Sequence, residues 1–359
     1  MDMMYVEECC EILDSMRVPI TASDREEGEY PYYGANGIQD YVADYIFDDE
    51  LVLLAEDGGN FGSKERPIAY RVSGKCWVNN HAHVLKPKAG LDVDYLCYSL
   101  MFYKVDGMVN GATRQKLTQA AMRKMKIPSR SMNEQLHIVD ELNRILKIKE
   151  QRQQELTLLD NLIKARFVEL FGDPVQNTKG WDTDTCKNLT SKIGSGATPK
   201  GGRESYGTEG ISLIRSMNVY NNRFEYKDLA YITDEQADKL SNVTIEEKDV
   251  LLNITGASVA RCCVVPKELI PARVNQHVAI VRCKDRLLSE FLCNMFTENS
   301  YQRLLWSIAT SGGATREAIT KQQIEDLVLI VPPIELQQQF VEFCKQIDKS
   351  KVVWKAYNI

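Results

Sequence analysis

A helical pattern of apolar positions runs through the middle of the chain, between residues 133 and 171. This stretch contains no proline or glycine, and it is rich in residues that favour helices. Apolar residues recur three or four positions apart on either side of a largely polar interval at 147–155: Leu136, Val139, Leu142, Leu146, Leu156, Leu159, Ile163, Phe167 and Leu170. The spacing predicts one helix over 133–171, about 58 Å long.

Short apolar runs bounded by turn residues flank this helix on both sides and predict β-strands. The predicted strands lie at 46–55, 68–72, 77–85, 212–216, 249–255, 262–266 and 274–283. Helical spacing returns at 93–103 and 287–306. The domains before and after the central helix are therefore expected to be α+β.

An internal repeat spans the chain. Residues 111–118 (GATRQKLT) return as 313–320 (GATREAIT), and residues 78–81 (VNNH) return as 274–277 (VNQH). An ordered set of matches of this kind indicates two copies of one unit. We therefore predict two repeated α+β domains, at 1–132 and 172–332, each followed by a spacer helix, at 133–171 and 333–359.

The second spacer helix carries its own apolar stripe, with Phe340, Phe343 and Ile347. Two long helices at equivalent places predict an antiparallel coiled-coil pair, and two unrelated amphipathic helices are the alternative. Residues 333–359 make the second helix 27 residues long, against 39 for 133–171. Residues 164–171 are therefore expected to lack a partner within the chain. A trimmed chain, a natural early stop and docking of that stripe on another subunit or copy all stay open.

Composition narrows the class of protein. The 359 residues are 44% hydrophobic and 26% charged, values of an ordinary globular protein. No apolar run approaches the ~20 residues of a membrane span, and the first residues lack a signal pattern, so a soluble cytoplasmic protein is expected. The ten cysteines form no C-x-x-C pair, which favours reduced thiols over a zinc site. The net charge of −6 implies that any DNA binding uses local basic patches or a partner's charge.

Catalytic motifs are missing from the sequence. Residues 194–200 resemble a phosphate loop without its Gly-Lys-Ser/Thr ending, and no Pro-Asp dipeptide begins a nuclease metal site. His81 and His83 alternate along one predicted strand, where a satisfied or solvent-facing pair is favoured over metal ligation. We expect no catalytic residue and no metal ligand.

Polar side chains beside Gly-rich turns, at matching places in both copies, are the candidate binding residues. Amides, hydroxyls and guanidinium groups in such loops read base edges or hold phosphate. In the first copy these are Asn36, Asp57, Asn60, Asn79, His81, Thr113 and Arg114. In the second copy they are Lys200, Arg203, Arg215, Asn218, Thr255, Ser258, Asn275, His277, Thr315 and Arg316. Each turn alone is more often a plain turn, and a turn that only the fold needs would also recur, but the recurrence favours binding.

Several of these motifs together resemble a known family. LFGDP at 170–174, SGATP at 195–199, NITG at 253–256, VNQH at 274–277 and GGATR at 312–316 occur in order, before IVPP at 330–333 and a Gln-rich helix. YPYYGANG at 30–37 and AEDGG at 55–59 resemble motifs in the first domain of the same family. Across nearly the whole chain, the sequence resembles the specificity subunit of Type I restriction-modification systems.

This resemblance implies a DNA-binding subunit that is not itself catalytic. Its two target-recognition domains would each read one half of a bipartite double-stranded site, with the coiled-coil helices setting the gap. Two modification subunits would use S-adenosylmethionine to methylate adenine, and restriction subunits would use ATP and Mg²⁺ in bacterial defence, so no cofactor is expected on this chain. A structural scaffold with vestigial DNA-reading domains, and less so a fused methyltransferase or nuclease, are the alternatives.

Overall fold

The computed structural model describes residues 2–111, 114–199, 202, 206–311 and 317–355, the last four through their backbone. The chain divides into an N-terminal unit, Met1–Arg152, and a C-terminal unit, Gln153–Ile359. The boundary falls inside one long helix. Among the described residues, none of the helices combines the length and apolar content that a bilayer span requires.

The N-terminal unit is rich in strands. Its strands are β1 (Met3–Tyr5), β2 (Cys10–Ile12), β3 (Glu27–Gly34), β4 (Gly37–Val42), β5 (Phe47–Ala55), β6 (Ala69–Val78), β7 (Ala82–Pro87), β8 (Val109–Asn110), β9 (Lys116–Leu117) and β10 (Lys126–Pro128). Its helices are α1 (Val6–Cys9), α2 (Val93–Leu100), α3 (Gln119–Arg123) and the first part of α4 (Met132–Phe171).

A six-stranded sheet of order β2-β7-β5-β6-β3-β4 forms the centre of this unit. β5 and β6 pair antiparallel from Phe47 opposite Cys76 to Leu54 opposite Ala69. Because side chains alternate along a strand, Leu51 and Leu53 of β5 enter one apolar cluster, and Val52 and Leu54 enter another that includes α2. The sheet is therefore covered on both faces, which explains the continuous apolar run of β5.

In its described residues, the C-terminal unit has more and shorter elements than the N-terminal unit. Its strands are β11 (Thr183–Thr185), β12 (Thr190–Ser195), β13 (Ile211–Ile214), β14 (Val219–Tyr220), β15 (Arg223–Phe224), β16 (Ala230–Ile232), β17 (Val250–Asn253), β18 (Cys262–Val264), β19 (Ala272–Val274), β20 (Val278–Cys283) and β21 (Val328–Ile330). Its helices are the second part of α4, α5 (Cys186–Leu189), α6 (Asp234–Asp238), α7 (Ser289–Thr297), α8 (Asn299–Thr310), α9 (Lys321–Glu325) and α10 (Ile334–Lys355).

The main sheets of this unit have the orders β12-β20-β17-β18 and β16-β13-β19. Leu252 of β17 faces the cluster that includes α7 and α8, while Leu251 faces the cluster on the opposite side. β17 is thus covered on both faces, as β5 is in the N-terminal unit. The predicted α+β class agrees with this architecture.

Three predicted elements, the strands at 77–85 and 274–283 and the helix at 287–306, are interrupted where the sequence shows no proline or glycine. The strand predicted over 77–85 breaks between β6 and β7, because the VNNH motif forms a turn; VNQH likewise separates β19 from β20. The helix predicted over 287–306 breaks at Glu298, whose carboxylate caps α8 by accepting from the Ser300 amide. At these positions, hydrogen bonds from side chains to the nearby backbone replace the regular hydrogen bonds of the strand or helix.

The expectation that residues 164–171 lack a partner is wrong. Within the C-terminal unit, Phe167 and Phe171 are 1% and 0% exposed, and both rings lie 5.5 Å from that of Phe340 in α10. Lys351 pairs with Asp160 at 2.7 Å. The paired positions run in opposite directions along the chain, so the start of α10, and not its end, covers the end of α4.

The remaining helix-packing residues differ in burial. Val139 and Ile163 are buried, and Phe343 and Ile347 pack against the C-terminal core with Leu170. Leu142, Leu156 and Leu159 are half-buried. By contrast, Leu136 and Leu146 are 49% and 46% exposed, and neither belongs to the apolar clusters of the described residues.

Candidate nucleic-acid interface

Three separate segments of the N-terminal unit meet beyond the end of β5. The Glu56 amide donates to the His81 carbonyl at 2.8 Å, and the Leu117 amide donates to the Glu56 carbonyl at 2.7 Å. The Gly58 amide donates to the Gln115 carbonyl at 3.1 Å. Backbone bonds therefore hold the strand end, the turn at 79–81 and the segment at 114–117 side by side.

The Asn-x-His turn is built by its asparagine. The Asn79 carboxamide oxygen accepts from the His81 amide at 2.8 Å, which reverses the chain between β6 and β7. Asn79 is 3% exposed and also donates to Gln39. Its amide is occupied inside the fold, so in this conformation Asn79 supports the turn and is not available to a ligand.

Asp57 joins the polar side chains that do face outward. Its Oδ1 atom lies 2.6 Å from His81 Nδ1 and 2.9 Å from Arg114 Nη2. The Arg114 side chain remains 60% exposed. Asn36 contributes by donating to the Gly58 carbonyl at 3.0 Å. We call this set of Asp57, His81 and Arg114 the N-terminal polar face: a carboxylate that orients one guanidinium toward solvent.

The C-terminal unit has the same three backbone hydrogen bonds at the corresponding positions, and we call this shared arrangement the strand-end scaffold. The Ile254 amide donates to the His277 carbonyl at 3.0 Å, and the Ile319 amide donates to Ile254 at 2.9 Å. The Gly256 amide donates to Glu317 at 2.9 Å. Like Gly58, with φ +63°, Gly256 has a left-handed conformation, with φ +72°, which favours glycine after both strand ends.

The side chains on the repeated scaffold differ. Thr255 stands where the other unit has Asp57, and its Oγ1 lies 2.6 Å from His277 Nδ1. The Asn275 oxygen accepts from the His277 amide at 3.0 Å, and Asn275 is buried like Asn79. The C-terminal polar face, Thr255 and His277, thus has a neutral hydroxyl in place of a carboxylate.

Arginines stack on an aromatic ring near the C-terminal polar face. The guanidinium carbons of Arg223 and Arg261 each lie 4.7 Å from the centre of the Tyr220 ring. The Arg261 amide donates to the carbonyl of Ser258. Tyr220 and Arg223 are not among the predicted binding residues, because a two-residue strand pair such as β14 and β15 leaves almost no periodic signal in the sequence.

Other predicted residues have different surroundings. Asn218 is fully buried and donates to the Glu225 carbonyl at 2.9 Å, so its amide is not available to a ligand in this conformation. Arg215 donates to the Asp228 carbonyl and stacks on Tyr206. Asn60 donates to the Pro67 carbonyl at 3.4 Å, and Ser258 accepts from Asn253. Five predicted residues lie outside the described part of the chain: Thr113, Lys200, Arg203, Thr315 and Arg316.

A buried ionic network lies directly beneath the N-terminal polar face. Asp14 Oδ2 lies 2.7 Å from His83 Nδ1, and the other ring nitrogen of His83 lies 2.9 Å from the Leu117 carbonyl. Both ring nitrogens of His83 therefore face oxygen atoms inside the fold. Glu56 pairs with Arg17 at 2.6 Å and with Lys116 at 3.0 Å.

The network keeps both carboxylates ionised. Burial opposes the charged form of Asp14, but bonds from His83, Gln119 and Val84 outweigh it and lower the pKa of Asp14. Burial likewise opposes the charge on Glu56, and Arg17 and Lys116 lower the pKa of Glu56 below its usual value. Asp14, Glu56 and His83 have metal-ligand chemistry and lie within 4.8 Å of one another. Their oxygens already face cationic side chains, so the arrangement is that of an ion-pair network.

The fold and these surfaces define a duplicated protein in which each copy presents the same strand-end scaffold with its own polar side chains. The profile of the Type I restriction modification DNA specificity domain matches residues 1–158 and 179–353. The chain belongs to this family.

Individual proteins agree with the family assignment. Over 134 residues the chain is 38% identical to an assigned type I restriction enzyme specificity subunit of Haemophilus influenzae, covering 37% of this chain and 34% of that relative. The match therefore spans about a third of the relative's length.

Solved structures show the same fold. The Type-I restriction-modification S subunit from M. genitalium has a TM-score of 0.56 at 12% identity over 99% of this chain and 91% of its own. A chain from work on complex assembly and conformational transition of the type I R-M system has a TM-score of 0.58 at 15% identity, over 99% and 92%. The predicted fold class is confirmed.

Proposed function

We propose that the chain is the DNA-recognition subunit of a Type I restriction-modification complex and reads a bipartite double-stranded site. The N-terminal polar face contacts one half-site and the C-terminal polar face contacts the other. The observation that supports this proposal is the repeated scaffold: the same backbone bonds carry Asp57 in one copy and Thr255 in the other. One geometry with different hydrogen-bonding groups suits two half-sites of different sequence.

In this proposal the chain contributes recognition and no catalysis. Two modification subunits supply S-adenosylmethionine chemistry at adenine, and restriction subunits supply ATP- and Mg²⁺-dependent cleavage. The net charge of −6 is consistent with partners that provide many of the phosphate contacts, since phosphate neutralisation dominates nonspecific affinity. The α4 and α10 helices set the gap between the half-sites.

The test is DNA selection by the chain in complex with its modification subunit, from a random duplex pool, followed by sequencing. A split motif with a fixed gap supports the proposal. If a stable complex retains DNA without sequence preference, the result supports the alternative that the chain is a structural subunit with vestigial DNA-reading domains. Methyl transfer by the chain alone would instead indicate a fused enzyme.

Matched variants assign each half of the motif. Arg114→Ala is expected to weaken discrimination in one half and Arg261→Ala in the other, each by about 5- to 150-fold if the arginine makes a bidentate base contact. An arginine that binds only phosphate would lower affinity for all sequences and reduce the salt slope by about 1. Arg144→Ala is the control, because Arg144 is 66% exposed on α4 and pairs with Asp140.

A further inference from the structure

Two buried glutamines occupy the same position at the start of the two spacer helices. Gln135 is the fourth residue of α4 and Gln337 is the fourth residue of α10. Both are 0% exposed. A long polar side chain is seldom fully buried unless its hydrogen bonds are satisfied, so the partners of these two amides are informative.

Gln135 bonds to three backbone groups of the N-terminal unit. Its oxygen accepts from the Asp92 amide at 2.8 Å. Its nitrogen donates to the Gly90 and Arg130 carbonyls, at 2.9 Å each. Asp92 caps the start of α2, and Arg130 lies just before α4. The side chain therefore ties the first turn of the spacer helix to the loop that leads into α2.

Gln337 repeats all three bonds in the C-terminal unit. Its oxygen accepts from the Leu288 amide at 2.9 Å. Its nitrogen donates to the Arg286 carbonyl at 3.1 Å and to the Pro332 carbonyl at 2.9 Å. Leu288 precedes α7 just as Asp92 precedes α2. Each amide thus satisfies its acceptor and both of its donors with main-chain groups of its own unit.

Helix capping does not account for the repeated glutamine. α4 begins with a capping box, in which Ser131 and Glu134 exchange hydrogen bonds. α10 instead follows Pro332 and Pro333, and its first turn bonds to the Pro333 carbonyl. The two helix starts differ in their caps and share the glutamine bonds, so the shared feature is the attachment of helix to domain.

We propose that Gln135 and Gln337 are positioning residues that fix the direction in which each spacer helix leaves its own recognition unit. This inference rests on the proposed function. A change of one base pair in the gap displaces a half-site by about 3.4 Å along the DNA axis and rotates it by roughly a tenth of a turn. Discriminating between gap lengths therefore requires each helix to be held rigidly, and three bonds to main-chain groups supply that rigidity.

The experiment measures how tightly the complex of this chain with its modification subunit binds duplexes that share both half-sites. The duplexes differ only in the gap, which has the length found by DNA selection or is one base pair shorter or longer. Gln135→Leu and Gln337→Leu are expected to reduce the preference for the selected gap by at least about tenfold, the scale of one mismatched pair, while base preferences within each half-site are retained. Gln338→Leu is the control, because Gln338 is the exposed neighbour of Gln337.

Other outcomes overturn the inference. Equal loss of affinity at every gap, or an unchanged gap preference, would leave the glutamines a structural role only. If the leucine variants unfold, the same measurement is made with Gln135→Glu and Gln337→Glu, which keep the accepted hydrogen bond and lose the donated ones. If the glutamate variants unfold as well, the two glutamines have a role in stability only. Absence of a split motif in the wild-type complex would instead contradict the proposed function.

Discussion

Replacing Asp14 with alanine tests how much the buried network beneath the N-terminal polar face stabilises the N-terminal unit. The Asp14 side chain is 3% exposed, and it accepts from His83 and Gln119 and from the Val84 amide, at 2.7 to 2.9 Å. Gln119 is half-buried and can turn to water. The His83 ring and the Val84 N–H cannot, because both are buried.

The cost of Asp14→Ala follows from these two groups. An unpaired buried donor costs about 1–3 kcal/mol, and more when it is charged. Asp14 also pairs with the Arg17 guanidinium at 3.5 Å, and breaking a buried ion pair from one side typically costs about 3–5 kcal/mol. We therefore expect the free energy of unfolding of the N-terminal unit to fall by about 3–5 kcal/mol, a large share of a domain's usual stability of about 5–15 kcal/mol.

Urea unfolding followed by tryptophan fluorescence measures this loss. Trp77 is the one tryptophan among residues 1–152, so replacing Trp181, Trp306 and Trp354 with phenylalanine makes the signal specific to the N-terminal unit. Asp49→Ala is the control, since Asp49 pairs with Lys86 at a solvent-exposed site and should change stability far less. A loss below about 1 kcal/mol for Asp14→Ala would refute the reasoning.

Three further outcomes are expected. Phe167→Ala should destabilise the C-terminal unit by about 3–5 kcal/mol, because Phe167 packs against Phe340 in the core. Thermal unfolding measures this loss, and an unchanged melting temperature would show that the ring contact does not stabilise the unit. Because the pKa values of Asp14 and Glu56 are lowered in the folded chain, their contribution to folding stability is present above the unfolded pKa of about 4 and is lost as pH falls through the folded pKa. Acid unfolding followed by Trp77 fluorescence should show this loss, and Asp14→Asn should make stability depend less on pH. Burial raises the pKa of Cys76 to about 12, so iodoacetamide at neutral pH should modify it only after unfolding, as mass spectrometry would detect; rapid modification of the folded chain would contradict its burial.

Part of the candidate site was within reach of sequence reasoning. Asp57, His81 and Arg114 were each predicted from Gly-rich turns and repeated motifs, and the structure brings these three together. Asn79 and Asn275 were predicted beside them, but the structure buries both as supports of the turns. A one-dimensional pattern shows that an amide sits in a turn. It does not show whether the amide bonds to the turn or points outward.

The repeat, the α+β class and the two spacer helices follow from the sequence alone, because periodicity and turn chemistry depend on residues close together along the chain. The tertiary structure decided which distant groups meet. His83 finds Asp14 69 positions away, Gln135 bonds to a loop more than 40 positions earlier, and the start of α10 covers Phe167. Burial and partner choice depend on which segments the fold places side by side, and local patterns carry no information about that choice.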